Sequence, residues 1–302
     1  MALQDLVYYT AGIGFLALAK IKHTLRGYST PKPFDISETD QCVAYDVKVV
    51  EHWLSQLRQY TRSDSFLSGK NVLELGPGAD LGIGSILLLK GAAAYNACDV
   101  NDLATRTPDE FYHALFKALS DTHSRAEIDA VKEQLVRLKG GQRSQLNYVV
   151  RDDFDLAAAF GRNTIELVFS QAAFEHFDDV NATVGQLSAV CKPGAVIVAE
   201  IDLQTHSRWI RQKDPNNIYR YPQGLYNAFW FRGIPNRIRP YQYREMFERH
   251  GWRDMVIVPL SRADKHGAVA VHERFRSEIN QMDCLSIMLC ATKKAAADRA
   301  RQ

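Results

Sequence analysis

The sequence contains little cysteine, and it lacks a strong excess of charge of either sign. Its 5 cysteines are odd in number and none lies in a C-x-x-C pair, which argues against a disulfide framework and favours a reducing cytosol. With 37 basic and 35 acidic residues, the formal net charge is only +2, so general binding to nucleic acid is disfavoured. The 46% share of hydrophobic residues excludes a disordered chain.

The sequence also lacks an apolar run long enough to cross a bilayer. The longest run, residues 6–19, falls short of the roughly 20 residues that a transmembrane helix needs, and no basic region precedes it as in a signal peptide. Lys20, Lys22 and Arg26 follow it. We expect a helix packed on the domain or on a second subunit; a membrane-surface anchor and a true span are the alternatives. The predicted location is the cytoplasm, with peripheral membrane contact through residues 6–19 and homo-oligomerisation left open.

Hydrophobic periodicity predicts an α/β domain behind an N-terminal helical cap. Residues 1–65 are interpreted as a helical segment and linker, with turn formers at 28–38 and an amphipathic helix whose apolar face holds Val43, Val47, Val50, Leu54 and Leu57. Residues 66–302 alternate short apolar runs with helical stretches, which is typical of a doubly wound, mostly parallel sheet. The seven runs are 72–75, 94–98, 146–150, 165–169, 195–201, 255–260 and 284–291.

A glycine-rich turn follows the first predicted strand. Glu74, Gly76 and Gly78 belong to the segment Glu-Leu-Gly-Pro-Gly, and glycine lets a ligand approach the backbone closely. The third position of a dinucleotide fingerprint is Leu81 instead of glycine, and no lysine stands where a P-loop requires one. A carboxylate at the strand end suits a cationic or hydroxyl-bearing ligand and would repel a pyrophosphate.

The segment Val-Leu-Glu-Leu-Gly-Pro-Gly at 72–78 resembles the first motif of the class I S-adenosylmethionine-dependent methyltransferases. The resemblance covers residues 70–202 well and 240–292 loosely. It implies a Rossmann-like seven-stranded sheet with an antiparallel last strand, and S-adenosyl-L-methionine as the cofactor. One departure is Asp80, which stands where many members carry a third glycine. A narrower similarity links the Ile-Asp-Leu-x-x-His segment at 201–206 to bacterial methyltransferases of polysaccharide and secondary-metabolite biosynthesis.

Polar residues after the next three strands are the remaining cofactor candidates. Asp99 ends the second strand, where a carboxylate can accept two hydrogen bonds from ribose hydroxyls; the alternative is a turn cap. The resemblance implies that Asp152 or Asp153 takes the adenine amino group, that an apolar neighbour such as Phe154 covers the ring, and that substrate and methyl group meet at two residues after the fourth strand. Those two are Ser170 and Gln171.

Three residues are candidates for removing a proton from the methyl acceptor. Asp202 and His206 follow the fifth strand, where the carboxylate would orient the imidazole. His176 is the second choice as a base, and a purely structural role is the stronger alternative for it. The sequence shows no cluster with metal-ligand spacing, so we predict transfer without a metal.

Two insertions extend the common pattern. Residues 105–141 are helical in periodicity, and we expect a lid or a dimer contact there. Residues 204–244 contain seven arginines among aromatic residues, which suggests a cover for an anionic or sugar-like acceptor; a solvated basic face is the alternative. The arginines are Arg208, Arg211, Arg220, Arg232, Arg237, Arg239 and Arg244.

These features together predict a methyltransferase that acts on a small molecule, most simply at oxygen. Two alternatives belong to other classes. A non-catalytic relative would use the domain to bind a partner, and a nicotinamide-dependent oxidoreductase would share a similar sheet. Binding of S-adenosylhomocysteine in preference to NADH discriminates against the oxidoreductase.

Overall fold

A seven-stranded sheet forms the centre of the protein. The computed structural model describes residues 3–27, 34–142, 144–263 and 270–295. The sheet order is β3-β2-β1-β4-β5-β7-β6; β1 to β5 are parallel, and β7 is antiparallel to both of its neighbours. The predicted fold class and the antiparallel last strand are therefore confirmed. The strands are β1 (Asn71–Leu75), β2 (Ala94–Asp99), β3 (Leu146–Val150), β4 (Ile165–Gln171), β5 (Cys191–Asp202), β6 (Trp252–Arg262) and β7 (Cys284–Lys293).

Helices cover both faces of this sheet. Successive side chains of β1 point to opposite faces, so that Val72 packs with α2 to α5 and Leu73 packs with α6, α7 and α10. Both faces are buried, which explains why the strands appear in the sequence as continuous apolar runs. The helices are α1 (Leu3–Arg26), α2 (Thr39–Thr61), α3 (Gly82–Leu89), α4 (Asp109–Leu119), α5 (Arg125–Lys139), α6 (Leu156–Phe160), α7 (Val180–Val190), α8 (Arg208–Arg211), α9 (Gln223–Ala228) and α10 (Pro240–Arg249).

The insertion 105–141 forms α4 and α5, as its periodicity predicts; the lid or dimer contact expected there stays a prediction. Phe111 and Leu115 of α4 are fully buried, and Ile128 and Leu135 of α5 are nearly so. All four belong to the same core cluster as α2 and α3. The insertion is therefore part of the helical layer on one face of the sheet.

The N-terminal helix α1 packs along one side on residues that follow β5. Tyr9, Ile13 and Leu16 contact the small apolar cluster that contains Tyr219 and Tyr221. The Nδ2 of Asn217 donates to the carbonyl of Tyr8 at 2.9 Å, and the hydroxyl of Tyr221 donates to the carbonyl of Tyr9 at 3.1 Å. The expectation of a helix packed on the domain is met on this side. Among the described residues, no helix has the length and apolarity needed to span a membrane.

Two arginines of the second insertion do not face an acceptor. Arg239 is fully buried and donates to the carbonyls of Asn280, Gln281 and Cys284 at 2.6–2.9 Å. Arg237 is also buried, and its Nη1 donates to the carbonyls of two residues just before α9, Ile218 and Tyr221.

Because their donors are already used by main-chain carbonyls, Arg237 and Arg239 tie the loops around α9 to the segment before β7. Their proposed role in binding an anionic acceptor is therefore wrong for these two residues. Basic and aromatic residues alternate in the same way whether guanidinium groups are solvated or buried, which is why the sequence pattern misled the interpretation.

Candidate functional site

A cavity of about 870 Å³ opens at the carboxyl ends of the central strands. The chain crosses there from the β1–β2–β3 half of the sheet to the β4–β5 half, which is where open parallel sheets bind ligands. The loops after β1, β2, β3 and β4 line the cavity, together with residues of α2. Eight of the nine residues predicted to bind cofactor line it: Glu74, Gly76, Gly78, Asp99, Asp152, Asp153, Phe154 and Gln171.

The glycine-rich turn after β1 forms the floor of the cavity. Gly76 and Gly78 have φ values of +71° and +81°, which side chains disfavour. A Cβ on Gly76 would lie 2.9 Å from the Cβ of Ala173. The turn is therefore possible only with glycine at these positions, and it leaves backbone open to a ligand.

Glu74 lies under this turn and is 1% exposed. Its Oε2 accepts a 2.6 Å hydrogen bond from the hydroxyl of Tyr95. Burial raises the pKa of Glu74 to about 8, an effect that the Tyr95 hydrogen bond opposes. Near neutral pH its carboxyl group is therefore largely protonated, and it does not provide the negative charge that a strand-end acid suggests.

A pair of carboxyl groups joins the N-terminal segment to the turn. Asp46 of α2 is buried and Asp80 of the turn is half-buried; both line the cavity, and desolvation raises the pKa of each. Oδ1 of Asp80 accepts from the backbone N–H of Gly82 at 2.9 Å. A side chain at Gly82 would overlap Asp46. Sequence reasoning missed Asp46, although an acid among the apolar positions 43, 50, 53 and 57 of α2 is a detectable signal.

Asp99 sits at the end of β2 and faces the same cavity. Its Oδ1 accepts from the N–H groups of Val100 and Asn101 at 2.7 and 3.1 Å, and its Oδ2 lies 3.4 Å from the N–H of Gly78. The carboxylate thus caps the turn that follows β2, and it also contacts the backbone of the glycine-rich turn. The two interpretations of Asp99, cap and ligand, are compatible because Oδ2 meets only one N–H group and has a second lone pair.

The two aspartates after β3 have different environments. Asp153 forms a bidentate pair with Arg151 at 2.6 and 2.8 Å, which holds the pKa of Asp153 down at about 2. Asp152 lines the cavity without this partner, while its carbonyl accepts from Arg232. Asp152 is therefore the better placed of the two to meet a ligand. The ring of Phe154 packs beside Phe177, 5.1 Å between centroids.

Ser170 and Gln171 differ in what they contact. Ser170 is fully buried, donates to the carbonyl of Leu75 at 3.2 Å and does not line the cavity. The structure places it under the turn, where it joins β4 to β1 and has no access to a cofactor. Gln171 does line the cavity, and its Oε1 accepts from the indole of Trp53 at 3.1 Å.

The predicted catalytic residues come together at one end of the cavity. His176 lines the cavity, and its ring lies 4.7 Å from that of His206. Nε2 of His206 lies 3.8 Å from Oδ2 of Asp202 and 3.9 Å from Oε1 of Glu175. Arg211 holds the same Asp202 oxygen at 2.6 Å. We call Glu175, His176, Asp202 and His206 the polar cluster.

Burial dominates the electrostatics of the polar cluster. It lowers the pKa of His206 to about 4, with His176 adding to the effect and Asp202 opposing it. Burial raises the pKa of Glu175 well above its usual range. Sequence reasoning did not select Glu175, because nothing in a Glu-His dipeptide shows that the two side chains meet a histidine 30 positions further along.

Comparison with known proteins connects this architecture to a reaction class. The family model described as a methyltransferase domain matches residues 111–199, from α4 into β5. The matched segment does not include the glycine-rich turn. The comparison with curated proteins found no match.

Several solved structures resemble the chain at low identity. One is a putative sarcosine dimethylglycine methyltransferase from Galdieria sulphuraria, with 13% identity, a TM-score of 0.45, and coverage of 93% of this chain and 97% of that one. Another is a putative S-adenosylmethionine-dependent methyltransferase from Listeria monocytogenes, with 12% identity, a TM-score of 0.44, and coverage of 79% and 97%.

The family match runs through β3 and β4, whose carboxyl ends border the cavity, and into β5. Residues 111–199 are therefore similar to a methyltransferase domain.

Proposed function

We propose that this domain methylates a hydroxyl group of a small, uncharged and hydroxyl-rich molecule, such as a sugar derivative. The observation that carries the proposal is the polar cluster at the end of the cavity, with His176 on the cavity wall and Glu175, Asp202 and His206 behind it. A hydroxyl needs help in losing its proton, whereas a free amine needs mainly orientation. The volume of the cavity suits small ligands.

The residues around the turn fit S-adenosylmethionine. The backbone at Gly76 and Gly78 has no side chain to obstruct a ligand, and any Cβ at Gly76 would fill the space beside Ala173. Oδ2 of Asp99 has a lone pair to offer to a ribose hydroxyl, and Asp152 is available for an exocyclic amine. When bound, the cofactor supplies a methyl group activated by the sulfonium charge. The protein mainly aligns the acceptor and keeps water out of the cleft.

His176, Asp202 and His206 are the proposed catalytic residues, and Glu175 joins them. The His176 ring is fixed because its Nδ1 donates to the carbonyl of Gly233 at 2.6 Å. Arg211 fixes the carboxylate of Asp202. An acceptor hydroxyl beside His176 would therefore meet preoriented polar groups at the wall where the methyl group is delivered.

The charge of the cavity favours an uncharged acceptor over an anionic one. Nine of its lining residues are acidic, against Arg232 and His176 on the basic side. Even with Glu74 protonated, a carboxylate or phosphate would be repelled. The acids are Glu38, Asp46, Glu74, Asp80, Asp99, Asp152, Asp153, Asp178 and Asp179.

The test is turnover with matched acceptors. The purified chain is incubated with S-adenosylmethionine and either a methyl glycoside, the corresponding uronic acid, or an amino sugar, and S-adenosylhomocysteine and methylated product are measured by mass spectrometry. We expect product with the neutral glycoside and much less with the uronic acid. Methylation only of the amine or only of the anion contradicts the proposal. Binding of S-adenosylhomocysteine without turnover on any acceptor favours the non-catalytic alternative.

We also propose that α1 contacts the surface of an anionic membrane. Leu3, Val7, Leu18, Ile21 and Leu25 are exposed by 54–80%, and their spacing of three, four and eleven residues places them on the side opposite to the packed one. Lys22 lies toward the C-terminal end on the exposed side of the same helix, whereas Nζ of Lys20 donates to the carbonyl of Ala228 at 2.8 Å on the packed side. An apolar strip with a basic residue at its end is typical of helices that lie in the membrane interface.

A further inference from the structure

The carboxyl group of Glu175 is buried without a charged partner. The residue is 2% exposed, and no side chain among the described residues donates a hydrogen bond to its oxygens, which have only weak contacts with the backbone N–H groups of Glu175 and Asp202. Its closest basic atom is Nε2 of His206, at 3.9 Å, which is longer than a hydrogen bond. Burying an unpaired carboxylate is costly, so that such a group usually meets a cation or a proton.

The atoms around Glu175 are those that a transition metal prefers. One ligand atom each from Glu175, His176 and His206 lie within 4.8 Å of one another. Two imidazole nitrogens and one carboxylate oxygen suit Zn²⁺ and other first-row divalent ions, whereas Mg²⁺ and Ca²⁺ select oxygen ligands.

The second ring nitrogen of His176 is held as it is in metal sites. A carbonyl only accepts, so the 2.6 Å contact with Gly233 makes Nδ1 of His176 the protonated nitrogen. Nε2 of His176 is then left with its lone pair. Ligating histidines in proteins almost always donate their other N–H to a carbonyl or carboxylate in this way.

The charges agree with a divalent ion at this position. Asp202 also lies beside His206, but Arg211 at 2.6 Å balances it. Glu175 has no such counter-ion. A cation between Glu175 and the two imidazoles would supply the missing charge, and three protein ligands would leave a position open toward the cavity that His176 lines.

We propose that Glu175, His176 and His206 bind a divalent first-row transition metal ion, whose open position would receive the acceptor hydroxyl; with the ion bound, the two imidazoles are ligands, and the ion takes over from them the task of making the hydroxyl acidic. The metal site stands on the geometry above, while its role toward the acceptor rests on the proposed function. The sequence did not reveal the site, because His206 reaches the other two only through the end of β5.

The experiment titrates metal-stripped, untagged full-length protein with Zn²⁺ in a calorimeter and with Co²⁺ in an absorption spectrometer. We expect one ion per chain and a visible Co²⁺ band typical of nitrogen–oxygen coordination. Glu175→Gln and His206→Gln should each weaken binding by about 100-fold or more, since loss of a ligand exceeds the 10- to 100-fold cost of losing a supporting partner. The matched control is His113→Gln, which changes an exposed histidine on α4.

Two further measurements keep the outcomes distinct. Glu175→Gln replaces a buried carboxyl group by a neutral amide of the same shape, so we expect the metal-free variant to unfold at a temperature equal to or higher than the parent. Calorimetry with S-adenosylhomocysteine on the same variants reports the cofactor site separately. Absence of Zn²⁺ and Co²⁺ binding, or binding that Glu175→Gln and His206→Gln leave unchanged, overturns the metal proposal even where cofactor binding and turnover persist.

Discussion

The hydroxyl of Tyr95 donates a 2.6 Å hydrogen bond to Oε2 of Glu74, and both groups are buried beneath the glycine-rich turn. An acidic side chain can be buried at the end of β1 because its carboxyl group is mostly neutral near pH 7 and is hydrogen-bonded. Burial raises the pKa of Glu74 from 4.5 to about 8. A carboxyl group whose pKa is higher in the folded state stabilises the protein at low pH. That contribution is complete below the unfolded pKa and is lost as the pH rises to about 8.

Glu74→Gln should therefore remove a pH dependence of stability. We expect the free energy of unfolding of the variant, relative to the parent, to rise with pH by about 1.4 kcal/mol per unit between pH 5 and 8. Urea denaturation across this range measures it, with the exposed Glu110→Gln on α4 as control. Parallel curves for parent and Glu74→Gln would contradict the buried, protonated carboxyl.

Gly76→Ala should impair cofactor binding more than stability. At φ +71° any Cβ is strained, and here it would also lie 2.9 Å from the Cβ of Ala173. We expect the Kd for S-adenosylhomocysteine to rise at least about tenfold. The new side chain adds about 1–2 kcal/mol of backbone strain, and the turn moves to relieve it, which displaces the surface that binds the ligand.

The control for Gly76→Ala is Gly194→Ala. Gly194 has a φ of +82°, and a Cβ there would meet nothing within 4 Å. This variant should lose a similar amount of stability to backbone strain and keep its affinity for S-adenosylhomocysteine. Equal effects of the two substitutions on affinity would show that the turn at Gly76 has no special part in binding.

Arg239→Lys should destabilise the protein and leave the cofactor site intact. The guanidinium donates to three carbonyls in a fully buried position, and lysine cannot reproduce that planar arrangement. We expect a loss of about 3 kcal/mol in the free energy of unfolding, measured in urea. A change in acceptor affinity without a change in stability would restore the anion-binding role that the structure argues against.

Substitutions on the exposed side of α1 should reduce membrane binding. Leu18→Ser combined with Ile21→Ser removes two side chains that are 62% and 55% exposed. We expect co-sedimentation with vesicles of phosphatidylglycerol and phosphatidylcholine to fall, because about 1.5–3 kcal/mol of burial is lost per side chain. Val136→Ser, on the exposed side of α5 at 69% exposure, is the control. The proposal is contradicted if the parent protein does not bind vesicles. If the parent instead forms a dimer that the α1 substitutions disrupt, this side of α1 contacts a second subunit.

The sheet was predictable because each buried strand is a continuous apolar run with polar ends. The run 146–150 coincides with β3. The run 195–201 was predicted to begin four residues too late, because the Lys-Pro-Gly segment at 192–194 is typical of a turn, whereas β5 begins at Cys191. Strand ends also located the residues that line the cavity, since the carboxyl ends of parallel strands meet at one edge.

The site and packing residues that the sequence did not predict depend on contacts between distant segments of the chain. Asp46 belongs to a helix that the sequence assigns to an N-terminal cap, yet it lines the same cavity as Gly78. Glu175 and His206 meet only because β5 ends beside the turn after β4. Arg239 reaches carbonyls about 40 positions away, a contact that no local pattern encodes.

The central claim is that the cavity at the carboxyl ends of β1, β2 and β3 holds the cofactor through its sugar and its amino-acid end. Calorimetry with S-adenosylhomocysteine on the parent and on Asp99→Asn tests it most directly, with Asp129→Asn on the exposed side of α5 as control. The account predicts one site per chain in the parent, an affinity about 10- to 100-fold weaker in Asp99→Asn, and no change in the control. Folded parent protein that gives no heat, or an Asp99→Asn variant that binds as tightly as the parent, would contradict it.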